Sequence, residues 1–63
     1  MLVTVDATGL VADQGSIVVL QGVTEDGRTV RFGADHRMAQ AIIDGVDAEG
    51  EVLAEVESYQ VLA

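Results

Sequence analysis

The chain has 63 residues, 49% of them hydrophobic, and a formal net charge of -8 from 11 acidic residues against three arginines. A chain this short is expected to be one domain, 1–63, with a thin margin of stability, and the lack of cysteine excludes disulfides, thiolate metal sites and a cysteine nucleophile. Three arginines cannot neutralise a track of phosphates, which argues against direct nucleic-acid binding, and no apolar run reaches the ~20 residues of a membrane span.

From the N-terminus, Leu2 to Val5 and Leu10 to Ala12 both read as strand, but their apolar parities differ. A bulge or bend around Ala7 to Gly9 is therefore expected within one long strand. A turn at Gln14-Gly15 returns the chain along Ile17 to Thr24, a run rich in branched residues. Asp26-Gly27 is a strong tight-turn signal, and a two-residue loop there sets Glu25 opposite Arg28, Val23 opposite Val30 and Gln21 opposite Phe32. That register places Ile17, Val19, Val23, Val30 and Phe32 on the core face. Val18 and Leu20 then fall on the other face and need a cover, and Arg31 lies beside Gly22 with room for a ligand.

The segment from Gly33 to Glu51 holds the one helix. Asp35 is its N-cap, Met38, Ala39, Ile42 and Ile43 recur at helical spacing, and Gly45 is the expected stop. The last strand, Glu51 to Leu62, alternates through Val52, Ala54 and Val56, then switches parity at Ser58 so that Tyr59 and Val61 turn inward. The order β-β-β-α-β, mainly β with one short helix, fits a small barrel of the SH3 or oligonucleotide/oligosaccharide-binding kind, or a strongly curved antiparallel sheet.

The distribution of charge supplies the functional candidates. Arg28, Arg31, His36 and Arg37 hold all the cationic side chains within ten residues. Arg28 is expected to pair with Glu25 across the turn. His36 and Arg37 occupy the first helical turn, where the helix dipole disfavours cations and a bound anion would resolve the conflict. Arg31, His36 and Arg37 are accordingly the candidate site for a phosphate-bearing small ligand. A second candidate comprises Glu51, Glu55 and Glu57, set on one face by alternation and able to present a nucleic-acid-like surface to a basic protein; strand glutamates also serve to keep an edge from aggregating.

Asp47-Ala48-Glu49-Gly50-Glu51 has part of the spacing of a calcium loop but lacks its frame, and one histidine builds no zinc site, so no metal is assigned. No catalytic constellation and no cofactor motif is present, since Ser16, Ser58 and His36 lack an activating frame. The expected function is that of a non-enzymatic, acidic binding or regulatory protein of the cytoplasm. Its expected partners are further copies of itself and either an anionic small ligand or a basic protein.

Overall fold

The branched and alternating runs form six strands around one helix in the computed structural model, which describes residues 1–62. In chain order they are β1 (Leu2–Asp6), β2 (Leu10–Asp13), β3 (Val18–Thr24), β4 (Thr29–Ala34), α1 (His36–Glu49), β5 (Glu51–Glu55) and β6 (Gln60–Val61). All pairings are antiparallel, and the hydrogen-bonded path runs β5-β1-β3-β4-β6, with β2 also on β3.

Both long strands break where a change of parity is expected, between β1 and β2 and between β5 and β6, but Leu10 and Val61 beyond the breaks stay exposed. β1 and β2 share one edge of β3, with Val3 opposite Thr24 and Ala12 opposite Val19. The bend between them is tied by Gly9 N–H to the Asp6 carbonyl at 2.9 Å and by Gln21 N–H to the Gly9 carbonyl at 2.8 Å. β5 and β6 lie at opposite ends of the sheet path, and only residues 56–59 join them. Five flat strands span about 19 Å, whereas the five steps from Glu55 to Gln60 reach at most about 17 Å, so the sheet has to curl. Among the described residues no ladder joins β5 to β6, and the curled sheet is not closed into a barrel.

The central hairpin departs from expectation by one residue. Val23 pairs with Thr29, Gly22 with Val30 and Leu20 with Phe32, leaving Glu25, Asp26 and Gly27 in a three-residue loop. Gly27 has φ 88° and donates to the Thr24 carbonyl at 3.0 Å, while Thr24 N–H donates to the Arg28 carbonyl at 2.8 Å, a type I turn ending in a glycine bulge. Thr24 Oγ1 contacts the Asp26 carboxylate and accepts from Arg28 N–H at 3.1 Å, so the threonine itself secures this loop.

A one-residue slip exchanges the two faces of a strand. Val18 and Leu20 therefore belong to the core, at 4% and 1% exposure, and need no second subunit to cover them. Ile17 and Val23 are exposed instead. The observed register sets Leu20, rather than Gln21, against Phe32, which spares the core a buried amide.

Val3 and Val5 of β1, Val30, Phe32 and Ala34 of β4, and Ala54 of β5 complete the sheet side of the core; Ala39 and Ile42 of α1 close it from above. Asp35 caps α1 as expected, accepting from Met38 N–H at 2.8 Å. The helix does not stop at Gly45 but continues to Glu49, and Gly50, at φ 87°, ends it with its N–H on the Val46 carbonyl. Gly45 serves packing: a Cβ there would lie 3.1 Å from Val52 Cγ2, so its absence lets β5 approach the helix. Beyond β5, Tyr59 and Val61 do not turn inward; they stay 37% and 43% exposed.

Candidate functional site

The expected cationic site is dispersed by the fold. Arg31 alternates with the core residues Val30 and Phe32 and so projects from the face of β4 turned away from α1. Because of the register shift it pairs with Gln21, not Gly22, and its Nε donates to Gln21 Oε1 at 2.9 Å. The expected space at Gly22 is filled by β1, since a Cβ there would meet the Thr4 carbonyl oxygen at 2.4 Å and Val3 Cγ1 at 2.5 Å. His36 and Arg37 open α1, on the other side of the sheet from the Arg31 side chain.

The His36 ring already has a partner. Its Nε2 contacts the Gly15 carbonyl oxygen and lies 3.7 Å from Asp13 Oδ1, which links the β2–β3 turn to the helix start. Arg37 is exposed and makes no side-chain hydrogen bond or ion pair among the described residues. Arg28 pairs with Asp26 Oδ2 at 2.9 Å rather than with Glu25, because the longer loop sets Thr24, not Glu25, opposite it. The expected cationic group is thus divided among a hairpin tip, an outer sheet face and a helix start.

The acidic candidates are more coherent. Glu51 and Glu55 alternate with half-buried Val52 and buried Ala54, and so share the outer face of β5 with Leu53. Leu53 is the most exposed large apolar side chain of the described residues, at 63%. Glu55 binds the N-terminal ammonium of Met1 at 2.9 Å. Glu57 lies past the end of β5, in the bend before β6, beside a concavity of about 360 Å³ that it shares with Phe32, Met38 and Glu55. Alternation therefore groups Glu51 with Glu55 but not with Glu57.

Leu53 is inconspicuous in the sequence because Val52, Ala54 and Val56 mark only the inner face of this strand. The end of α1 is hidden in the sequence by Gly45, which resembles a helix stop. Asp44, Asp47 and Glu49 occupy the final part of the helix, and no basic residue lies in the last turn. A helix C-terminus carries about half a negative charge, so these carboxylates and Glu51 add to a field of the same sign. A concavity of about 490 Å³ opens there, lined by Glu49, Glu51, Val52 and Leu53.

The other concavities offer less chemistry. A groove of about 160 Å³ between α1 and the β1–β2 bend is walled by Val5, Leu10, Leu20, Ile42 and Val46, and falls below the usual size of a small-molecule site. Among the described residues no group of three or more His, Asp or Glu side chains is placed to hold a metal ion, and residues 47–49 are helical rather than a calcium-type loop. Among the described residues no helix is long and apolar enough to cross a membrane. No protein-family model, curated protein or solved structure matches the chain.

Proposed function

We propose that the protein is a non-enzymatic binding module whose working surface is the acidic outer face of β5, and that its partner is a basic protein surface of the kind that handles nucleic acid. The observation that carries this reading is the placement of Glu51, Leu53 and Glu55 together on an exposed strand at the negative end of α1. Carboxylates at that helix end cost stability, and a cationic partner would offset the cost. An apolar side chain between the glutamates supplies burial at the centre of a polar rim, the usual layout of a protein contact.

Capture of an anionic ligand by Arg31, His36 and Arg37 has weaker support. Arg31 projects from the opposite side of the sheet, and Asp13 and Asp35 stand beside His36 and Arg37 as competing anions. Self-association rests on a narrower footing than composition implied, because Val18 and Leu20 are buried within one chain. Leu10, Val11 and Ile17, exposed along the β2–β3 hairpin, are the side chains that would mediate it.

The test compares affinity capture from a lysate of the source cells by the wild type, by Glu51→Lys/Glu55→Lys, and by Asp13→Lys/Glu25→Lys, which lies away from the end of α1 and changes net charge equally. One nucleic-acid-handling protein should be retained by the wild type and the control pair, lost with the β5 pair, and released steeply by salt. Equal loss of capture in both variants would show that net charge alone acts, and equal capture by all three would show that the β5 carboxylates play no part; either result would reject the site.

A further inference from the structure

We infer that the free edge of β5 accepts an extended basic segment as an added antiparallel strand, with an apolar residue opposite Leu53 and Lys or Arg opposite Glu51 and Glu55. This rests on the reading of β5 as a surface for a basic protein and specifies how such a protein docks. Three observations lead to it.

The first is the hydrogen-bond phase of β5. Val56 N–H donates to the Met1 carbonyl at 2.8 Å and the Met1 ammonium donates to the Val56 carbonyl at 2.9 Å, so this is a mutually bonded pair. In an antiparallel ladder such pairs recur at every second residue, which makes Val3 with Ala54 and Val5 with Val52 the next two. The N–H and C=O groups of Glu51, Leu53 and Glu55 then point away from β1. β5 has no other strand partner among the described residues, so those groups form an unpaired template.

The second is that the side chains above this template are the same three residues. A partner strand bonded to Leu53 places its own opposing side chain within about 5.5 Å, and its neighbours two residues away meet Glu51 and Glu55. An edge protected only against aggregation would not carry the most exposed large apolar side chain of the described residues at its centre.

The third decides the occupant. A second copy pairing antiparallel about Leu53 sets Glu51 against Glu55 of its neighbour twice, and like charges directly opposite are destabilising. The template therefore rejects itself and fits a strand of the opposite charge, with the pattern basic, any, apolar, any, basic. Main-chain bonds supply affinity and alternate side chains supply selectivity, as in other strand-addition complexes.

The probe is a synthetic capped peptide, Thr-Lys-Thr-Val-Thr-Lys-Thr, titrated into the whole protein at low salt with amide NMR detection. Two N-methylated versions separate strand addition from charge attraction. Methylation of the valine nitrogen removes the bond to the Leu53 carbonyl, whereas methylation of the adjacent threonine leaves the facing edge intact.

The unmodified and threonine-methylated peptides should bind alike and slow hydrogen exchange at the Leu53 amide, and the valine-methylated peptide should bind about tenfold or more weakly. Equal binding by all three peptides, with no protection at Leu53, would overturn strand addition while leaving a basic partner in place. Absence of peptide binding alongside β5-dependent protein capture would do the same. Failure of both the peptides and the capture would reject the surface altogether.

Discussion

Two short-range devices stand out at the level of single residues. Asp6 accepts from both the backbone N–H and the hydroxyl of Thr8, at 2.9 and 2.6 Å, where the chain turns from β1 toward β2. The Thr8 hydroxyl, then its N–H, hold the Asp6 carboxyl below its ordinary range; the Thr24 hydroxyl and Arg28 do the same for Asp26. For carboxylates so depressed, stability is complete above the unfolded-state pKa and is lost as pH falls through the lower folded-state value. Acid titration followed by carboxyl NMR should give low midpoints for Asp6 and Asp26, and Thr8→Val should raise that of Asp6; an unmoved midpoint would deny the hydroxyl its role. Gly22 offers a sharper steric test, because any Cβ there collides with the Thr4 carbonyl. Gly22→Ala should cost about 1–3 kcal/mol in urea denaturation, as other overpacked sites do, and a neutral outcome would mean that β1 can move off β3 freely.

The helix and the central hairpin show at the level of elements what sequence could and could not reveal. The positions of the bend after Asp6, the return at Gln14-Gly15, the N-cap at Asp35 and the break near Ser58 were legible, because each follows from local alternation, turn residues or capping chemistry; the inward turn expected of Tyr59 and Val61 does not occur. The hairpin register was not. Asp26-Gly27 suits a two-residue turn as well as a glycine bulge, and the choice depends on burying Leu20 against Phe32 and on Thr24 bonding Asp26 and Arg28, which are non-local or side-chain matters. Gly45 misled for a related reason: a glycine needed for close packing on Val52 has the same appearance as a helix stop. The same limit applied to the site, since pairing Arg31 with Gly22 followed from the wrong register, whereas Glu51 and Glu55 depended only on alternation. α1 carries cations at its positive end and carboxylates at its negative end. Arg37→Glu and Asp47→Lys should therefore each stabilise the fold by about 0.3–1 kcal/mol, measured by chemical denaturation at low salt; a loss of stability in either would show that the side chain makes a structural contact.

Across the whole molecule, an 11-carboxylate chain with three arginines is arranged unevenly rather than uniformly acidic. The cations are spread over three separate places, whereas the end of α1 and the outer face of β5 combine Asp47, Glu49, Glu51 and Glu55 with an exposed leucine. Light scattering bears on the assembly: with Val18 and Leu20 buried in each chain, any oligomer should dissociate on Ile17→Asp, and persistence of the oligomer would move the contact away from the β2–β3 hairpin. The two candidate ends of the molecule are compared most directly by one amide NMR experiment that titrates the wild-type protein separately with the lysine-bearing peptide and with inorganic phosphate. The peptide should shift residues 49–55 and lose its effect as salt is raised, while phosphate leaves residues 35–38 unmoved. Saturable shifts at 35–38 with phosphate, and none at 49–55 with the peptide, would contradict the assignment of β5 as the working surface.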